Sequence, residues 1–335
     1  MAMQLGGDGV HGAPADDAGA GAPLAAGAAL ARLGWRPSGP GARAEERAAY
    51  LFLSPWIIGA IVFLLIPLGW AVWLSFTDEQ LLRAGQFIGF ENYARAFTDD
   101  PSFYRALQVT LTWIVIAVPL FLITGLAVAL LLNQKLRGMS FFRTLLYVPA
   151  VLSGVAIAVL WFTLLNSDLG AVNQILRSIG IEDPPNWFQD PDFALWGVAI
   201  MGLWGVGTNA IIYLAGLQNI PPDLYEAAAM DGAGPWTKFR HITLPMLSPT
   251  MFFLLIGELT AALVIIGPVI VISGAGGAAG PADSLLFYML LLYRRGFVEG
   301  QLGYAAALAW ILTVIGLALV WLTFKLEKRF VFYQA

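Results

Sequence analysis

The chain has 335 residues, 59% of them hydrophobic and only 12% charged, with a formal net charge of −4. A soluble domain carries about twice that charged fraction, and the acidic balance argues against a general nucleic-acid role. Cysteine is absent and the two histidines, His11 and His241, lie far apart; this excludes a disulfide framework and thiolate chemistry and leaves no basis for a His-based metal centre.

Residues 1–49 are rich in Ala and Gly and show no apolar periodicity. Such a segment buries too little surface to offset its ordering entropy, so it reads as a disordered tail. The first long apolar run begins near Tyr50 and is too long for the h-region of a signal peptide.

Six segments reach the roughly 20 apolar residues needed to cross a bilayer. They are Tyr50 to Phe76, with Pro55 and Pro67 inside; Ala106 to Asn133; Leu145 to Asn166; Phe193 to Leu217; Leu247 to Val271, interrupted by Glu258; and Leu302 to Phe324. A shorter run, Ser284 to Tyr293, fits a re-entrant or interfacial helix. The predicted fold is all-α and integral to the membrane, with six transmembrane helices over residues 50–335.

Basic residues set the orientation. With the N-terminus inside, most of the 18 Lys and Arg fall on inner segments: Arg32, Arg36, Arg43 and Arg47 before the first span, Lys135, Arg137 and Arg143 after the second, Lys238 and Arg240 before the fifth, and Lys325, Lys328 and Arg329 after the sixth. Both termini and the segment 218–245 are therefore expected on the cytoplasmic side. The outer segments around Gly89 to Tyr93 and Asn166 to Asp192 carry aromatics and carboxylates. They read as short interfacial elements, either a partner surface or a solvated rim.

The segment 218–245 has its own local logic. Asp223 is a candidate N-cap, with Glu226 three residues on in a capping box. Ala227, Ala228, Ala229 and Met230 are strong helix formers. Gly232 is placed to stop that helix in the left-handed region. Pro235 suits the first turn of a second helix through Trp236 to His241, and Pro245 opens the fifth span. The expectation is helix, sharp turn, helix, both along the membrane face. On local physics alone this fits a docking loop and a partnerless connector about equally.

The whole pattern is more specific. Glu226-Ala227-Ala228, then Asp231-Gly232-Ala233, then Ile242, Leu244 and Pro245 resembles the EAA signature of permease subunits in ATP-driven, binding-protein-dependent importers. Leu53-Ser54-Pro55-Trp56, Phe87 to Tyr93, Leu214 to Pro221 and Gly303 to Ala307 resemble the carbohydrate branch, its maltose and glycerol-3-phosphate type, and the likeness runs from Tyr50 to the C-terminus. It implies a type I importer permease that performs no covalent chemistry. Its partners would be a second permease, two ATPase subunits holding the ATP and Mg, an extracytoplasmic solute-binding protein and the bilayer, with no nucleic acid. The helix containing Glu226 would be a coupling helix seated on an ATPase, with Glu226 to Ala233 making the contact and Leu244 and Pro245 fixing how the loop joins the fifth span. No G-x-x-x-x-G-K-[ST] motor motif occurs; the Gly274 to Gly280 run lacks that motif's strand and helix context and reads as a flexible turn.

An ionisable group inside a span is costly and faces a bundle interior or a wet cavity. Glu258 has three readings: it binds substrate hydroxyls, pairs with another helix, or hydrates a gate. Asn209 in the fourth span suits an interhelical hydrogen bond or a cavity wall. Trp161 and Trp204 stack on sugar faces or act as packing anchors. The solute expected from the resemblance is a sugar, oligosaccharide or polyol. The alternative is a secondary transporter driven by an ion gradient, with Glu258 as its coupling site.

Overall fold

A computed structural model describes residues 40–134, 137–274 and 276–332. The expectation for residues 1–39 lies outside these. Every regular element is helical; among the described residues, β pairing is limited to two isolated bridges near Thr77 and Gln80.

The chain divides at Pro67 into two units. In the first, α1 (Pro40–Ala60) continues through a π turn at Ile61–Leu65. It begins ten residues ahead of Tyr50 because Arg43 to Ala49 is built of Ala, Glu and Arg, all strong helix formers. None of its described side chains is buried, as suits a helix solvated by lipid.

The second unit opens with α2 (Ile66–Ser75, of which Leu68 onward belongs here), then α3 (Glu91–Thr98) and α4 (Pro101–Leu132). Asp100 caps α4 by accepting from Ser102 N–H, with Pro101 in the first turn. The third apolar segment is not one straight span. It forms α5 (Met139–Val151) and α6 (Gly154–Leu164), bent by 101°. Leu152 and Ser153 adopt extended backbone between them; Pro149 withholds an N–H near the end of α5, and Gly154 restarts the chain.

Next come α7 (Ala171–Ser178), then α8 (Pro191–Leu203) and α9 (Gly207–Gln218) joined by a 3-10 turn at Trp204–Val206. The elements α10 (Pro222–Met230), α11 (Pro235–Lys238), α12 (Leu244–Leu263) and α13 (Gly267–Ser273) follow, then α14 (Tyr288–Tyr293) and α15 (Leu302–Phe330). The short apolar run starts its helix at Tyr288 rather than Ser284, and Leu285 to Tyr288 are fully buried. It is packed inside the bundle: Tyr288 N–H donates to Thr110 Oγ1, and Tyr288 Oη–H to the Leu308 carbonyl.

Small residues let these helices approach closely, which is the main source of association where lipid replaces water. A Cβ on Gly207 would strike the Leu146 carbonyl, and one on Gly125 would lie 2.8 Å from Asn209 Cβ. The second contact brings α4 against α9 at mid-span.

Two candidate sites, a loop and a mid-span pair

At one end of the bundle, α10 ends in a Schellman motif. Asp231 is the C-cap, Gly232 takes φ +76°, Ala233 N–H donates to the Ala228 carbonyl across 2.8 Å, and Gly232 N–H to the Ala229 carbonyl across 3.0 Å. Only glycine adopts that φ without a Cβ penalty. The capping box is not formed. Pro221 is the N-cap with Pro222 at N1, and no side chain caps the helix. Proline's fixed φ starts the helix early, so Asp223 sits in the first turn, where it favours the positive end of the helix dipole.

The second helix also differs from expectation. Pro235 does open it, but α11 runs through a π turn at Phe239–Thr243 directly into α12, giving one continuous helix from Pro235 to Leu263. Pro245 cannot donate to His241, and its ring crowds that carbonyl. The wider turn relieves the crowding: Leu244 N–H instead reaches back to the Phe239 carbonyl. The loop is thus rigidly continuous with the fifth span. Tyr225 and Thr243 hydroxyls, 2.9 Å apart, tie α10 to the π turn.

Glu226, Ala227, Asp231 and Gly232 are exposed, and Ala228 and Ala233 half-buried. Neither carboxylate has a partner among the described residues. Met230 is 89% exposed and Trp236 69%, so the end of α10 and the start of α11 present apolar surface on a polar loop. Leu244 and Pro245 line a groove of about 450 Å³ with Arg240 and Met251.

Mid-span, Asn209 on α9 donates from Nδ2 to Glu258 Oε1 on α12 across 2.7 Å. Asn209 is buried and Glu258 half-buried. Tyr213, one turn beyond Asn209, is fully buried, and its hydroxyl has no partner among the described residues. Sequence reading missed Tyr213; its i+4 spacing from Asn209 was the available signal. Trp161 and Trp204 form an edge-to-face pair with ring centroids 5.9 Å apart. Trp161 packs on the larger core cluster, whereas Tyr213 belongs to a second one. The four residues thus fall into two separate pairs.

At the opposite end of the bundle lies a cluster that sequence reading did not find. Asp100 accepts from Arg295 Nη2 at 3.0 Å and from the Tyr304 hydroxyl at 2.9 Å. Burial opposes charge on Asp100, but Tyr304, Arg295 and the Ser102 amide outweigh it and hold the carboxyl below its usual range. Residues 195 and 204 positions apart in sequence meet here, which no local pattern signals.

Residues 101–332 match the family described as binding-protein-dependent transport system inner membrane component. The chain is 38% identical over 294 residues to the probable ABC transporter permease protein YesP of Bacillus subtilis (strain 168), covering 88% of this chain and 94% of that one. It is 36% identical over 286 residues to the lactose transport system permease protein LacF of Rhizobium radiobacter, covering 84% and 94%. It also resembles a chain in the crystal structure of a bacterial alginate ABC transporter in complex with alginate pentasaccharide-bound periplasmic protein, with TM-score 0.73 and 26% identity over 85% of this chain and 95% of that one.

Proposed function

The chain belongs to the family of binding-protein-dependent transport system inner membrane components, and from that premise we propose that it carries a neutral sugar, oligosaccharide or polyol inward by alternating access driven by separate ATPase subunits. Its ABC permease character and carbohydrate class rest on the family and its relatives. The motor, the solute and the residue roles are our reading.

The observation that carries this reading is the Schellman-closed helix α10, exposed and apolar at its tip, joined by the Gly232 turn to the continuous helix from Pro235 to Leu263 that holds Glu258. A rigid lever of this kind transmits ATPase closure to the spans, which then rock between outward and inward states. Glu226, Ala227, Ala228, Asp231, Gly232 and Ala233 make the contact, and Leu244 and Pro245 fix the lever's root. A second permease completes the pathway. An extracytoplasmic binding protein delivers the solute, as the periplasmic protein of the alginate transporter suggests. Both termini face the cytoplasm.

Glu258, Asn209 and the unpartnered Tyr213 hydroxyl supply acceptors and donors to solute hydroxyls at mid-span. A carboxylate there repels phosphorylated solutes. Trp161 and Trp204, already paired with each other, act first as packing.

The test is affinity capture of the chain from native membranes, followed by reconstitution. Capture of an ATPase whose solute-stimulated hydrolysis disappears in an assembled Gly232→Pro complex supports the reading. Solute movement by the chain alone along an ion gradient would overturn it and make Glu258 the coupling site of a secondary transporter.

A further inference from the structure

At the end of the bundle opposite α10, a cleft of about 170 Å³ lies between the end of α6, the segment before α8 and the end of α13. Its polar lining is made of uncharged side chains with unfilled hydrogen-bonding capacity. Asn166 Oδ1 already accepts from the Asp168 and Leu169 amides, which leaves its Nδ2 donors free. Asn186 donates to Gln189 Oε1, which leaves Asn186 Oδ1 and Gln189 Nε2 free. Ser273 Oγ is buried without a partner. A second such hydroxyl, on Ser284 (4% exposed), lies 3.1 Å from where a Cβ on the lining residue Gly280 would sit. Buried hydroxyls are nearly always bonded, so the orphan on the lining residue Ser273 calls for a ligand or water.

The apolar side of the cleft is aromatic. Phe162 and Phe188 stack at 5.6 Å, with Phe162 41% exposed. An aromatic pair flanked by neutral donors and acceptors matches a sugar ring, which presents C–H faces and hydroxyl edges. Among the described residues, no charged side chain lines the cleft, so a sugar carboxylate would find no partner there.

We propose that this cleft is an outer subsite for one neutral sugar ring of the solute, occupied before the solute reaches mid-span. The proposal rests on the importer reading, which puts this end of the bundle outside the cell. It assigns a role to the glycine-rich run: Gly280, at φ +72°, lines the cleft with backbone.

The absence of native cysteine makes the test direct. Ser273→Cys and, separately, the exposed Gln189→Cys are made in the chain and assembled with its ATPase and partner permease in right-side-out vesicles. Labelling by a membrane-impermeant maleimide is timed with and without maltose, lactose, cellobiose, sucrose and a uronate disaccharide. We expect the neutral saccharide that stimulates ATP hydrolysis to slow labelling about fivefold, with the uronate giving no protection. Equal labelling rates with that stimulating saccharide overturn the subsite and leave the importer reading standing. Thiols unreachable from outside, or an ATPase that no saccharide stimulates, overturn both. Protection by the binding protein without sugar also overturns the subsite, because it makes the cleft a protein contact.

Discussion

The Asn209 amide donates to the Glu258 carboxylate across 2.7 Å, joining α9 to α12 at the depth where charge costs most. One face of the pair is closed by Gly125, which allows no side chain between α4 and Asn209. Of the three roles open to Glu258, pairing across helices is the one this hydrogen bond supports. A solute role is then an addition to that pairing.

Glu258→Gln preserves the partner's acceptor, whereas Glu258→Ala leaves the Asn209 amide unpaired. A buried donor without an acceptor costs about 1–3 kcal/mol. We expect Glu258→Ala to lower the melting temperature in detergent by several degrees and Glu258→Gln to change it little. If Glu258 also contacts solute, both variants raise KM. Unchanged KM in a stable Glu258→Gln complex would confine the residue to pairing.

Tyr213→Phe separates packing from binding in the opposite way. The ring is fully buried but the hydroxyl bonds to nothing. Removing it should leave stability unchanged or slightly improved. A rise in KM at unchanged melting temperature would assign the hydroxyl to solute.

Gly232 holds φ +76°, a conformation costing a non-glycine residue about 1–2 kcal/mol. Nothing lies within 4 Å of its would-be Cβ, so Gly232→Val strains the backbone without a clash. We expect assembly to survive and solute-stimulated ATP hydrolysis to fall at least severalfold. Full stimulation in this variant would show that the cap geometry is dispensable.

Asp100 makes stability pH-dependent. Its carboxyl is held below the ordinary value of 3.8, so the folded state binds this proton less readily than the unfolded chain. The stabilisation is complete above the unfolded value and is lost as pH falls through the folded one. Thermal melts between neutral pH and pH of about 3 should show an acid-side loss that is flattened in Asp100→Asn, with the variant already less stable at neutral pH.

Gly207→Ala should cost about 1–3 kcal/mol by overpacking, because its Cβ meets the backbone carbonyl of Leu146. Gly59→Ala, with no neighbouring atom within 4 Å, serves as the control and should be neutral or slightly stabilising in a helix. Parallel melts of the two variants provide the check.

Composition and apolar run length were enough to establish an all-helical membrane protein, because the bilayer dictates both length and hydropathy. The signature around Glu226 to Pro245 identified the family, and Gly232 as a left-handed stop was legible because only glycine tolerates that φ cheaply. Helix starts and joins were not. Whether Asp223 or Pro221 caps α10, and whether Pro245 begins a helix or is absorbed by a π turn, depends on which backbone groups find partners after folding. The 101° break after Val151 was likewise hidden in an unbroken apolar run.

Glu258 and Asn209 could each be singled out in sequence as polar groups in apolar spans. Their union across 49 positions could not, nor could the meeting of Asp100 with Arg295 and Tyr304. Periodicity reports what lies on one helix face, a property of adjacent turns. Contacts between helices are fixed by how glycines such as Gly125 and Gly207 let backbones approach, and that was decided only when the bundle packed.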